Sequence, residues 1–166
     1  MDPIAIELGS PAATESFAAE LALHLVGGEQ IALLGPLGAG KTCFVRGLVV
    51  GLHGNRRKVR SPTFTIHHPY GDGRLVVDHY DAYFVREADE FARDGFDDQR
   101  AAGHVVVIEW ADRFPEQFAG SDLVVRFGVS GEESRRLEFC GPWLEARPAF
   151  CERLRAFNRP ANDVRP

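Results

Sequence analysis

The chain has 166 residues, 45% of them hydrophobic, 26% charged and 10% aromatic, which suits one globular domain with a sizeable core and excludes a disordered or fibrous chain. A net charge of -5, from 24 acidic against 19 basic residues, argues against a protein that binds bulk phosphate backbone. No apolar run approaches the roughly 20 residues that span a bilayer, and the start Met1-Asp2-Pro3 is acidic where a secretory leader is basic, so no membrane contact and a cytoplasmic location are expected.

In chain order, Phe17, Leu21 and Leu25 make one apolar face and predict a helix over 14–26, stopped by Gly27-Gly28. The short apolar run 30–34 reads as a strand buried on both faces. Residues 41–52 carry Phe44, Val45, Leu48, Val49 and Leu52 at helical spacing. Two β-rich runs, 63–70 and 75–83, flank the turn Gly71-Asp72-Gly73-Arg74 and predict an antiparallel hairpin. The acidic stretch 87–98 reads as a short solvated helix and loop, and Val105-Val106-Val107-Ile108 as a central strand. Strands over 123–129 and 136–139 and one closing helix over 144–157, with Pro148 near its start, complete the pattern. The expectation is a single α/β domain over 1–157 with a mixed parallel and antiparallel sheet, followed by a flexible tail, 158–166. Cys43, Cys140 and Cys151, odd in number and far apart, suggest buried packing rather than a disulfide framework or a zinc site.

The decisive string is Gly35-Pro36-Leu37-Gly38-Ala39-Gly40-Lys41-Thr42, which matches G-x-x-x-x-G-K-[ST] between a buried strand and an amphipathic helix. With this composition the pattern is expected by chance roughly 0.001 times. Successive backbone N–H groups of such a loop, from Gly35 through Leu37, Gly38, Ala39 and Gly40 to the helix start at Lys41, Thr42 and Cys43, can point inward at an anion. The helix adds its positive end, Lys41 can reach the β- and γ-phosphates, and the Thr42 hydroxyl can ligate Mg²⁺. Lys41 and Lys58 are the only lysines among the 19 basic residues, so a lysine in this loop is unlike generic surface charge.

Such a loop needs acidic partners, and Glu109 ends the run Val105 to Ile108 where ligands of open α/β sheets gather. Asp81 ends the preceding strand, either as a functional acid or as a turn former. Asp78 competes with it, and since side chains alternate, the two cannot both face the phosphates in a regular strand.

Together with Ser61-Pro62-Thr63-Phe64-Thr65, His79-Tyr80-Asp81-Ala82-Tyr83 and Glu109-Trp110, the loop resembles the bacterial TsaE (YjeE) family over about residues 10 to 130. That resemblance implies a P-loop NTPase fold of three layers. It also implies a small ATPase that acts with TsaB and TsaD in making N6-threonylcarbamoyladenosine at position 37 of tRNAs reading codons that begin with A. In that family TsaC and TsaD perform the carbamoyl chemistry, and ATP hydrolysis resets the partner complex, so contact with tRNA is indirect. By the same resemblance Lys41 and Thr42 bind phosphate and Mg²⁺, Glu109 completes the Mg²⁺ site and Asp81 positions or activates the attacking water. Ser61, Pro62, Thr63, Phe64 and Thr65 become a nucleotide-sensing loop, Thr14 lies near the adenine and Trp110 beside the pocket. The isolated chain is expected to be a monomer.

The chain departs from the family at Pro36 and Cys43, whose side chains the backbone cradle does not need, and at Phe84, where the family's H-x-D-x-Y-R string has arginine. Arg86, two residues on, would face the same side if the chain stayed extended. Two other classes fit the loop: a small metabolite kinase, with Arg56, Arg57, Lys58 and Arg60 as a lid, and a binding module whose nucleotide only orders a partner surface. A GTPase switch lacks its N-K-x-D string.

Overall fold

The computed structural model describes residues 2–60 and 65–157. Among them seven strands form one sheet: β1 (Ile4–Leu8), β2 (Gln30–Leu34), β3 (His67–Tyr70), β4 (Val77–Asp81), β5 (Val105–Glu109), β6 (Leu123–Val129) and β7 (Arg135–Cys140). The helices are α1 (Pro11–Ala22), α2 (Lys41–Gly51), α3 (Asp89–Arg93), α4 (Phe96–Ala101), α5 (Pro142–Glu145) and α6 (Pro148–Phe157). The strand order is β1-β7-β6-β2-β5-β4-β3. Strand β2 runs parallel to β5 and β6, and β4 parallel to β5, while the outer pairings β1 with β7, β7 with β6 and β3 with β4 are antiparallel.

The apolar runs at 30–34 and 105–108 are strands because helices cover both sheet faces, leaving neither side for polar residues. Alternation assigns the side chains: Ile31, Leu33, Val105 and Val107 join α1, α2 and α6 in one core, whereas Ala32, Val106 and Ile108 meet Phe91 of α3 and Phe96 of α4 in a second. The result is the expected three-layer α/β architecture with a mixed sheet.

Several expected bounds move, each for a local reason. Strand β1 was absent from the expected elements, although Ile4, Ile6 and Leu8 alternate with Ala5 and Glu7 and are buried against the sheet. Helix α1 starts at Pro11 rather than 14, because the Ser10 hydroxyl accepts the Ala13 N–H at 3.1 Å and proline fits the first helical position. The single closing helix is two, since Pro148 begins a helix rather than continuing one. The acidic stretch is not wholly solvated, with Phe91 and Phe96 buried. Of the three cysteines only Cys151 is buried; Cys43 and Cys140 are half-buried, and none of the three forms a disulfide among the described residues. Residues 61–64 and the tail 158–166 lie outside the described residues, as therefore do Ser61, Pro62, Thr63 and Phe64. Among the described residues no helix is long and apolar enough to cross a membrane.

Helices α1 and α2 touch more closely than most helix pairs allow. A Cβ on Gly47 would sit 2.2 Å from the Glu15 carbonyl oxygen, and one on Gly51 would sit 2.2 Å from that of Ala19. This contact fixes α2, and α2 carries Lys41 and Thr42 on its first turn.

Candidate nucleotide-binding site

The loop leaves the carboxyl end of β2 and returns into α2, so its backbone sits at the sheet end where parallel strands present their last residues. Gly35 must be glycine: its φ is 138° and a Cβ there would lie 2.6 Å from the Phe127 carbonyl oxygen. Gly40 caps α2 in the left-handed region at φ 99°, which turns the chain so that the helix N–H groups face the loop's hollow. That hollow has a volume of about 270 Å³ and is lined by Leu37, Gly38, Ala39, Gly40, Lys41, Thr42, Cys43, Glu109 and Trp110.

Lys41 is 4% exposed. Its ammonium donates to the carbonyls of Gly35 at 2.6 Å and Pro36 at 2.9 Å and rests 3.5 Å from the centre of the Trp110 ring. Burial pushes its pKa below the ordinary lysine value, while the carboxylates of Glu109, Asp112 and Asp81 pull the other way. Trp110 reaches this position through a left-handed backbone, φ 59°, uncommon outside glycine and here directly after the strand-end acid.

Thr42 donates its hydroxyl hydrogen to Glu109 Oε1 at 2.7 Å. Hydroxyl and carboxylate are hard oxygen donors, the set that suits Mg²⁺, and they come from the two elements the sequence pointed to. Asp81 and Glu109 are register partners on adjacent parallel strands, so their side chains share the face toward α2. Asp81 Oδ1 accepts the Tyr83 N–H at 2.8 Å, as a turn former does, and its charge also acts on Lys41.

Asp78 faces the opposite side of the sheet. Its oxygens meet His67 Nε2 at 2.7 Å and His104 Nδ1 at 2.6 Å. Burial alone would raise its carboxyl, but the hydrogen bonds and charge from His67 and His104 outweigh it and hold the carboxyl below the usual range. Because the folded value is lowered, this stabilisation is complete above the ordinary aspartate pKa of about 3.9 and is withdrawn as pH falls through the lowered value. Asp78→Asn is expected to cost about 1–3 kcal/mol at neutral pH and to flatten the acid limb of stability. Thermal melts from neutral to acidic pH check this, and an unchanged acid slope in the variant would refute it.

Of the other expected residues, Thr14 and Thr65 are not among those lining the hollow, whereas Cys43 is. Thr14 is buried, with its hydroxyl donating to the Ser10 carbonyl at 3.3 Å. Cys43 Sγ contacts the Pro11 carbonyl at 3.2 Å, and burial with the Glu15 charge pushes its thiol up despite Arg46 and Arg56. Thr65 is exposed. The chain turns after Asp81 instead of continuing as a strand, so the alignment of Arg86 with position 84 does not follow from strand parity. The arginine packed on this turn is Arg113, which donates to the Ala82 carbonyl at 3.2 Å and lies 5.8 Å from the Tyr83 ring centre. Arg56 pairs with Glu15 and Lys58 with Asp72 at 3.0 Å, so the basic cluster is partly engaged within the fold.

His79 and Arg113 are additions to the residues expected from the sequence. The signal for His79 was available: it lies two residues before Asp81 on one strand and therefore on the same face. For Arg113 no sequence signal existed, since its place depends on the 3-10 turn Ala111–Arg113 following Trp110.

The model of the family described as "Threonylcarbamoyl adenosine biosynthesis protein TsaE" matches residues 8–137. The tRNA threonylcarbamoyladenosine biosynthesis protein TsaE of Bacillus subtilis is 37% identical over 130 residues, covering 78% of this chain and 80% of that protein. Those of Treponema pallidum and Aquifex aeolicus are each 34% identical, over 110 residues (66% and 80% covered) and 127 residues (75% and 86%). The crystal structure of Bacillus subtilis YdiB superposes with a TM-score of 0.72 at 28% identity, covering 95% of this chain and 97% of that one.

Proposed function

The chain belongs to the TsaE family, and from that premise we propose that it is a P-loop ATPase of tRNA N6-threonylcarbamoyladenosine formation, binding ATP with Mg²⁺ and hydrolysing it to reset a TsaB–TsaD complex. One observation carries the reading: a G-x-x-x-x-G-K-T loop whose threonine is hydrogen-bonded at 2.7 Å to the acid ending a neighbouring parallel strand. The donor set and the glycine cradle fit a nucleotide triphosphate with its cation.

In this reading the loop N–H groups and the α2 terminus bind the β-phosphate, and Lys41 leaves the Gly35 and Pro36 carbonyls to meet the β- and γ-phosphate oxygens. Thr42 and Glu109 hold Mg²⁺, which when bound neutralises charge on those oxygens. Asp81, already fixed by the Tyr83 N–H, orients the water and accepts its proton. Trp110 covers the pocket and supports Lys41. The partners work at a distance from this chemistry, and tRNA meets the assembly through them.

Steady-state ATP hydrolysis, alone and with purified TsaB and TsaD, tests this. Slow turnover that rises with the partners is expected. Asp81→Asn should keep nucleotide binding within a few-fold and lose about 10²–10⁴ in turnover, the usual weight of a positioned acid or base. Tight binding without hydrolysis under either condition would leave a nucleotide-gated binding module and remove Asp81 from catalysis.

A further inference from the structure

His79 is fully buried in the middle of β4, and the proposed chemistry gives it nothing to do. Its Nε2 lies 2.8 Å from Glu109 Oε1, the same oxygen that accepts the Thr42 hydroxyl. An ionised carboxylate only accepts, so the hydrogen belongs to Nε2. Nδ1 then faces the hydroxyl of Tyr70 on β3, 3.4 Å away, and that hydroxyl is 3.3 Å from the Arg60 carbonyl. Tyr70 is itself buried, so the imidazole is gripped from both sides and cannot turn without breaking a contact.

We infer that His79 is a positioning residue for the cation-binding carboxylate: with Thr42 it pins Glu109 Oε1, which presents Oε2 to the divalent cation at a fixed angle. This rests on the reading of Thr42 and Glu109 as the Mg²⁺ site. Glu109 Oε2 receives no hydrogen bond among the described residues, whereas Oε1 carries two. A glutamate side chain has three rotatable bonds, and Thr42 is a poor anchor by itself because its own oxygen also faces the cation. His79 is the donor that does not. Partners of this kind, which orient a ligand rather than bind the metal, typically contribute about 10- to 100-fold in metal affinity.

The test separates cation binding from nucleotide binding. Mn²⁺ is titrated into the ADP-saturated protein and followed by electron paramagnetic resonance, and ADP affinity is measured separately in EDTA. His79→Leu is expected to weaken Mn²⁺ by about 10-fold or more while ADP affinity in EDTA stays within about twofold. His79→Gln, which places an amide N–H within reach of Glu109, should recover most of the loss. Should the leucine variant fail to fold, His79→Met carries the same expectation with a flexible apolar chain.

Parent-like Mn²⁺ affinity in a folded apolar variant would overturn the inference. So would equal losses of Mn²⁺ and metal-free ADP binding, the mark of a packing role. If the parent protein itself binds ADP equally in Mn²⁺ and in EDTA, the Mg²⁺ site fails, and the inference fails with it for that separate reason.

Discussion

Lys41→Met is expected to reduce partner-stimulated ATP turnover by on the order of 10²–10³-fold while leaving the fold intact. The ammonium is the only cation that the described structure places inside the hollow, and the carboxylates of Asp81, Glu109 and Asp112 act on it there. Without it, a triphosphate entering the loop would meet those acids with no mobile positive charge to follow the γ-phosphate as charge moves toward the leaving oxygens. Methionine keeps the stem that packs under Trp110, so lost activity cannot be traced to lost packing. The melting temperature should stay within a few degrees, because the substitution also removes a charge that burial disfavours, as its lowered pKa indicates. A folded variant keeping more than about a tenth of parental turnover would dislodge Lys41 from the chemistry.

The second large effect concerns stability. Gly47→Ala and Gly51→Ala should each cost about 3 kcal/mol, the upper end for overpacking, since the added methyl meets a backbone carbonyl at 2.2 Å that no rotamer change can move. At about 2–4 °C per kcal/mol for a domain of this size, each melting temperature should fall by about 6–12 °C. The gain in helix propensity from alanine, about 1 kcal/mol, opposes this and is too small to reverse it. Nucleotide affinity should fall as well, because separating α2 from α1 shifts the first turn that holds Lys41 and Thr42. Thermal melts and ADP titration measure both, and a melting temperature at or above the parent's would show that the helices do not meet at these glycines.

The same two glycines illustrate what was hard to read. Gly47 lies inside an otherwise apolar helical pattern, and a sequence offers no partner for a missing side chain. The surfaces that need the glycines, Glu15 to Ala22 of the preceding helix, come from a segment some thirty residues away. Arg113 was hidden for a similar reason: a left-handed Trp110 and a short 3-10 turn aim it at the Ala82 carbonyl. His79 is a different case, because strand parity with Asp81 placed it on the right face, but only the neighbouring strand shows that it meets Glu109.

By itself the sequence determined the phosphate loop, the two flanking elements, the hairpin after them and the strand-end acid Glu109. These are local properties: glycines that let a backbone curl around an anion, apolar runs that must be buried on both faces, and a carboxylate at the end of such a run. Tertiary structure alone decided which acids meet the loop. Asp78 and Asp81 lie three residues apart, and the register of β4 on β5 sets Asp81 beside Glu109 and turns Asp78 to the histidines on the far face. Side-chain alternation separates the two acids in any strand, but the choice between them depends on which face α2 packs against, a contact between distant segments that no local pattern encodes.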